Sequence, residues 1–497
     1  MRICILTRAD SLSWTQHYVD AFRQRAEVLT VGPPYDTQLI EDWGLADFVD
    51  TLVPNDIEAD LDPSQDLRAI LPDGWNPDLI VAIANGRVSL APSMDSLGCP
   101  TAYITVDTWQ SIADYVECQQ YDFVFTVQRD FVDRLRAVGG SNVHWLPLGC
   151  NPSAHHPIDV PHDHDVAFVG NIALPFHQQR YDLLERLEQR YSVFVASRVF
   201  YEDLCRATCR GRLAFNRSAI DDVNMRVFEV MAMGRPLLTN RDASQNGLTD
   251  LFEDGKHLIL YDDADDLLEK VNYYLAHEVE REAIAQSGFE LVMAKHRYVD
   301  RVDEMLRIMS DRVPAIHSGN DAIDGSIGDT MADLVPFGSE YVVDLGTRLI
   351  PYAKKLESRG VRQLQSAVGD DDPAARIEVL AANSTGELGF DCLDALDHAY
   401  GILVEGGSLL LRLTASDFSA ASGIASLDQL DDAFAKSGFH ITCCKIDESS
   451  QEGSNIIVRA RKRTRRLADI VREECEIFPH LDTDGLSRWA AAYGPHY

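Results

Sequence analysis

Four polar side chains, Asp222, Asn224, Arg226 and Glu229, fall within eight residues of one another in the stretch 214–240. That stretch reads as strand, loop, helix, turn and strand. The helix is expected to end at Met233-Gly234, and Pro236 opens an apolar run that suits a buried parallel strand. A helix start leaves backbone N–H groups unpaired and carries the positive end of the helix dipole. Polar groups beside it are therefore well placed to bind a nucleotide diphosphate. Taken alone, Asp222 and Asn224 could equally cap a helix and Glu229 be a solvated helix residue. Asp107 offers a second chemistry. It closes the run Thr105-Val106-Asp107, and strand carboxyl ends face the cleft in open α/β sheets. A carboxylate there suits a general base as readily as a turn or an N-cap. His17, near the first loop, is the weaker acceptor-side candidate.

The elements that must position these groups form three α/β units. In residues 1–157, strand-like runs at 3–6, 28–31, 79–83, 101–106 and 123–126 alternate with helical patterns such as 14–25 and 129–138. That alternation predicts a parallel sheet covered by helices. A second Rossmann-like unit, 158–313, starts at Asp165-Val-Ala-Phe-Val-Gly170-Asn171, with His177 and Arg180 just beyond. Glycine there lets the backbone approach a ligand, and a basic residue nearby suits a diphosphate. Residues 294–312 read as one terminal helix. Residues 314–330 are small, polar and turn-rich, as in a linker. A third α/β unit covers 331–462, and a helix-like tail covers 463–497, opening on Arg463, Arg465 and Arg466. Such a tail is expected to dock on the rest of the chain.

The stretch 214–240 resembles the nucleotide-sugar site of GT-B glycosyltransferases, and the chain is similar to the CgeB-like (spore maturation protein B-like) family. The resembling motifs continue through Leu251-Phe-Glu-Asp-Gly-Lys-His-Leu258, Tyr261-Asp-Asp263, His296-Arg-Tyr298 and Arg301. Leu146-Pro-Leu-Gly149-Cys-Asn151-Pro152 resembles the segment that leaves the first GT-B domain. The resemblance implies a GT-B fold of two Rossmann-like domains, with an acceptor side in 1–157 and a donor side in 158–313. It implies that a sugar moves from a UDP-, GDP- or dTDP-sugar to an acceptor the sequence does not name. It also implies that no bound metal is needed, because cationic side chains and helix starts replace it. Glu229 takes the ribose-binding role. Arg226 stabilises the diphosphate, with Asn224 as hydrogen-bond partner and Arg180 as second cation, beside Gly170-Asn171. Asp221 stands where related enzymes carry a longer Glu. Asp107 is the general base if the reaction inverts the anomeric centre, and the motifs do not decide between retention and inversion.

Residues 331–462 resemble a class I S-adenosylmethionine-dependent methyltransferase, down to a final antiparallel strand pair. They depart from it at the first motif. After Tyr341-Val-Val-Asp344-Leu-Gly346, Arg348 and Ile350 stand where further glycines are expected. Gly369-Asp370 does not supply a convincing acidic strand end. A degenerate domain that does not bind S-adenosylmethionine is expected. Two other readings of the chain remain: a methyltransferase with a sugar- or nucleotide-binding front half, and a non-catalytic scaffold.

Composition sets the remaining bounds. A chain of 497 residues, 45% hydrophobic and 25% charged, has room for about three soluble domains. Its 45 basic and 79 acidic residues give a net charge of −34, which disfavours nucleic acid and anionic lipid as partners. The ten cysteines show no paired-knuckle spacing, so reduced thiols are expected. No leader sequence and no membrane-spanning run is read, which implies a cytoplasmic protein. The third unit and the tail suit a homo-oligomer contact.

Overall fold

Runs such as Ile3-Cys-Ile-Leu6 and Leu79-Ile-Val-Ala-Ile83 are apolar at every position because both faces of their sheet are covered. A computed structural model describes residues 1–8, 14–35, 40, 52–61, 65–84, 92–110, 113–172, 177–313, 327–345, 349–366, 377–382, 392–413, 427–447 and 455–465. Within these, three sheets are formed.

The first contains β1 (Arg2–Leu6), β2 (Glu27–Gly32), β3 (Ile57–Glu58), β4 (Leu79–Ile83), β5 (Thr101–Thr105), β6 (Phe123–Thr126) and β7 (Val143–Trp145). It is parallel throughout, in the order β3-β2-β1-β4-β5-β6-β7. The second contains β8 (His164–Val169), β9 (Val193–Ala196), β10 (Gly211–Phe215), β11 (Leu237–Asn240) and β12 (Ile259–Tyr261), also parallel, in the order β12-β11-β10-β8-β9. Its first strand lies between its second and third. The chain therefore reverses direction across the sheet at β8 and β10, and a crevice opens at their carboxyl ends. These are two Rossmann-like lobes, the arrangement that the resemblance implies.

The lobes are joined twice. The outgoing segment at Cys150 and the returning segment at His296–Tyr298 run side by side, Cys150 N–H bonding His296 O at 2.9 Å and Tyr298 N–H bonding Cys150 O at 2.9 Å. Gly149 is required there, because a Cβ would lie 2.8 Å from the His296 carbonyl oxygen. The expected single helix over 294–312 is two. One helix, Glu278–Lys295, stops, and Tyr298–Arg312 begins behind an Arg297–Asp300 capping box. The break frees the backbone that pairs with Cys150. The second helix packs on the helix Trp14–Arg23 of the first lobe, and the core runs through both lobes from Ile3 and Phe22 to Phe228, Val302 and Met305.

The third sheet contains β13 (Tyr341–Asp344), β14 (Gln363–Gln365), β15 (Ile377–Ala382), β16 (Leu403–Leu413), β17 (Phe439–Asp447) and β18 (Asn455–Lys462). Its order is β14-β13-β15-β16-β18-β17, and β18 is antiparallel to both neighbours, as expected of the final pair. The sheet is mounted on the first lobe. Phe337 N–H bonds Asp122 Oδ1 at 2.9 Å, Arg463 bonds Gln119 Oε1, and Thr464 N–H bonds Ala137 O at 3.0 Å. The helix Ile327–Leu334 begins inside the stretch expected as a linker. Gly346–Arg348, the Ile350 side chain, Gly369-Asp370 and the tail beyond Arg465 lie outside the described residues. Among the described residues, no helix is long and apolar enough to cross a membrane.

Candidate functional site

The helix Met225–Ala232 starts after Asn224, whose backbone is extended, and stops at Met233 before Gly234, at φ +67°. Asn224 makes no side-chain cap bond. Its amide instead pairs with that of Asn216 at the end of β10, each Nδ2 donating to the other Oδ1 at 3.2 Å. Arg226, one turn-position on, points back to β8. Its Nε donates to Val169 O at 2.8 Å, its Nη1 to Asn216 Oδ1 at 2.8 Å, and its guanidinium lies 4.7 Å from the Phe168 ring centroid. Gly170, at φ +153°, follows β8. A Cβ there would stand 1.9 Å from Arg226 Nη2. The glycine thus makes room for a side chain of its own lobe, and it also lines the cavity described below. Burial lowers Arg226 to about 10, which leaves it a cation at neutral pH.

Arg180 sits in the first turn of the helix Gln178–Glu188 and is buried. Its Nε and Nη2 donate to Arg217 O at 3.0 and 2.7 Å, and its Nη1 to Asn171 O at 2.5 Å. Burial and the neighbouring Arg226 lower it to about 9. Both arginines are therefore cations held in place by backbone carbonyls. His177, at the start of the same helix, is lowered to about 4 by burial and then by Arg180 and Arg226. Among the described residues its buried Nδ1 has no partner.

Glu229 lies one turn after Arg226 on the same helix. Burial would raise its carboxyl, but His155, Arg226 and His17 more than offset this and hold it below the usual range. His155 Nε2 stands 3.3 Å from Glu229 Oε1. His155 Nδ1 accepts the Asn151 N–H at 3.1 Å, which puts the imidazole proton on Nε2. His17, from the first lobe, meets His155 with ring centroids 5.0 Å apart and is lowered to about 3 by burial and by His155. These groups, with Gly170, Asn171 and Arg226, line a cavity of about 720 Å³. Its far wall is the loop after β9, where Arg198 and Tyr201 hold φ values of +57° and +51°. Val199 and Phe200 of that loop, with Leu204 and Met225 from two helices, make the lining largely apolar. Non-glycine residues at positive φ are uncommon and cluster where a structure is held for function.

Asp107 and Asp222 face each other across the lobes. Asp107, at φ +58°, follows β5 and accepts the Trp109 indole N–H at 3.2 Å. Burial raises it, and the indole bond opposes the rise. Asp222 is buried and raised to about 7, by burial and then by Asp107, with a Gln128 hydrogen bond opposing. Asp221, at φ +59°, accepts from Asn240 Nδ2 at 3.2 Å and from Arg217, so it ties the loop internally.

Of the residues singled out in the sequence, Gly170, Asn171, Arg226, Glu229 and His17 share the cavity. Arg180 lies beneath it, and Asn224 braces Asn216. Asp107 and Asp222 form a separate interlobe pair. Sequence reasoning missed His155, Asn216 and the loop 197–201. The only signal for His155 was a histidine pair just after the crossing segment, at His155-His156.

The family model described as Glycosyl transferase-like matches residues 157–307, about a third of the chain. No match is found among curated proteins. Among solved structures, sucrose-phosphate synthase from Thermosynechococcus elongatus is similar over 63% of this chain and 98% of its own, at 12% identity and TM-score 0.42. Anabaena HepE in complex with UDP and glucose is similar over 63% and 100%, at 14% identity and TM-score 0.41. A glycosyltransferase from Rickettsia africae is similar over 62% and 98%, at 10% identity and TM-score 0.38. The segment that matches the glycosyl transferase-like family contains Gly170, Asn171, Arg180, Asp222, Asn224, Arg226 and Glu229.

Proposed function

We propose that this protein is a glycosyltransferase that takes a sugar from a nucleotide-sugar donor. The observation that carries the reading is the cavity at the carboxyl ends of β8 and β9, two strands of the matched segment, with Glu229 and Arg226 projecting from one helix start. The nucleoside occupies this cavity, its base against the apolar wall at 199–204 and its ribose hydroxyls on Glu229. The diphosphate lies beside Gly170-Asn171 and the start of the helix Met225–Ala232. Arg226 and Arg180 are bonded to carbonyls, so they act on the departing diphosphate through fixed charge in a buried setting. Asn224 keeps Asn216, and through it Arg226, in position. If the reaction inverts the anomeric centre, Asp107 is the base that takes the acceptor hydroxyl proton, and its charge raises the Asp222 carboxyl opposite. The positive groups act without a divalent ion.

We further propose the finer placement of the chain. The motifs over 214–301 support a CgeB-like membership. The strand order of the third sheet, with its antiparallel β18, supports a methyltransferase-like unit in 331–462. The units 1–157 and 158–313 serve as acceptor-side and donor-side domains. The acceptor is a hydroxyl or amine of a protein, a glycan or a small molecule.

The test is a panel of UDP-, GDP- and dTDP-sugars followed by thermal stabilisation and by donor hydrolysis. A matching donor at a hundred times its Kd is expected to add about 2.7 kcal/mol of stability. A panel without binding or hydrolysis would remove the proposal.

A further inference from the structure

Glu229 has two carboxylate oxygens, and Oε1 is the one that faces His155 Nε2, at 3.3 Å. His155 is 2% exposed, and its own orientation is fixed on the opposite side of the ring by the Asn151 N–H at 3.1 Å. Because that nitrogen accepts, the ring can only donate toward Glu229. Asn151 is held in turn. Its Nδ2 meets His17 Nδ1 at 3.2 Å and Asp20 Oδ2 at 3.3 Å, both on the helix Trp14–Arg23. His17 closes the set by packing its ring on His155 and, at 5.3 Å between centroids, on Tyr298. A chain of contacts therefore runs from the first lobe, through the crossing segment, to a single carboxylate oxygen in the second.

We infer that His155 is the positioning residue for Glu229: by holding Oε1 it aims Oε2 at the ribose of a bound nucleoside diphosphate, and so sets the preference for ribose over 2′-deoxyribose. The inference rests on the donor-site reading above. A carboxylate on a helix has free rotation about its terminal bonds, and ordering it before the ligand arrives removes that cost from binding. A buried acceptor built for a hydroxyl also penalises a ligand that lacks one, since the acceptor is left desolvated and unmatched. Without His155, the carboxylate can turn away, and the penalty for the missing hydroxyl falls. His155 also puts this grip on the segment that joins the lobes.

The experiment compares UDP and GDP, whichever binds the protein, with their 2′-deoxy counterparts by calorimetry, and a protein that binds dTDP in preference to both overturns the inference. The parent protein is expected to favour the ribose form by roughly tenfold or more, the worth of a hydrogen bond to a charged group. His155→Phe keeps a ring and removes the N–H. It is expected to bind both forms with a ratio within about twofold of one, on the same scale. His155→Gln retains an N–H donor at a similar reach and is expected to keep most of the parent ratio. His155→Met is a second disruption, should the phenylalanine variant not fold. A merely structural role would lower both affinities together and leave the ratio alone. An unchanged ratio in His155→Phe or His155→Met overturns the inference, as does a parent ratio of one. Failure of the parent to bind any nucleoside diphosphate would instead overturn the donor-site reading, and this inference with it.

Discussion

Glu229 was legible in the sequence because its helix carries a dense, ordered motif, whereas its partner His155 was not, because only the folded crossing segment brings position 155 to position 229. Replacing Glu229 with Ala is expected to weaken nucleotide binding by about 1–3 kcal/mol, the cost of an unmade bond to a charged group. It also strands the His155 N–H in a site that is 2% exposed, so a lowered melting temperature is expected beside it. Calorimetry showing full affinity in Glu229→Ala would refute the ribose role. Asp222 gives a prediction in pH. Its carboxyl is raised to about 7 in the folded protein by burial and by Asp107, against about 4 in an unfolded chain. The folded state therefore holds the extra proton between those values, and stability falls as pH rises through that window, by at most about 1.4 kcal/mol per pH unit, then levels above 7. His17, lowered to about 3, titrates with the opposite sign, so the parent curve alone is mixed. The difference between parent and Asp222→Asn isolates the carboxyl: the variant should gain on the parent from pH 5 to 7 and hold a constant lead from 7 to 8.5. A pH-independent difference between the two would show that Asp222 does not carry this proton.

At the scale of elements, most strands were readable, since a short apolar run bounded by turn residues has few other fates in an α/β chain. The expected run at 79–83 is β4 as it stands, and that at 3–6 is short of β1 by one residue. The break at His296–Arg297 was not readable. Apolar periodicity carries on through it, and the reason to stop is the backbone of Cys150, far away in sequence. Gly170 shows the same limit. Its type was informative, but the close neighbour that requires a glycine is the Arg226 side chain. Replacement by Ala at φ +153° places a Cβ on the Arg226 guanidinium. Gly170→Ala is expected to cost about 1–3 kcal/mol in strain. Part of that cost comes from displacing Arg226, so the same substitution should cost less in an Arg226→Ala background, with a coupling of about 0.5–3 kcal/mol in denaturant melts. Strict additivity of the two substitutions would mean that the arginine moves aside freely.

The whole molecule is a two-lobed unit with a third sheet fixed to one lobe. The composition and the linker-like stretch suggested separable parts, yet the contacts are intimate: Phe337 joins the core of the lobes, a Cβ on Gly338 would press on Phe123, and Arg463 is bonded to Gln119. A chain cut after residue 313 is thus expected to melt lower than the full chain and to aggregate, as calorimetry and light scattering would record; equal melting temperatures would mean that the sheet is carried passively. What this sheet binds follows from its first loop. In a methyltransferase-like unit, the turn after the first strand needs bare backbone to approach its cofactor. In the sequence Arg348 and Ile350 stand where that turn is expected to carry glycines, and a 3₁₀ turn already begins at Ile350. Asp344, the acidic end of β13, accepts the Leu349 N–H on Oδ2 at 2.6 Å. Residues 331–462 are therefore expected not to bind S-adenosylmethionine, and to serve the lobe on which they are mounted. Equilibrium dialysis of the full chain against labelled cofactor decides the matter: counts equal on both sides of the membrane are expected, and saturable binding at micromolar concentration would make the third unit a working cofactor domain.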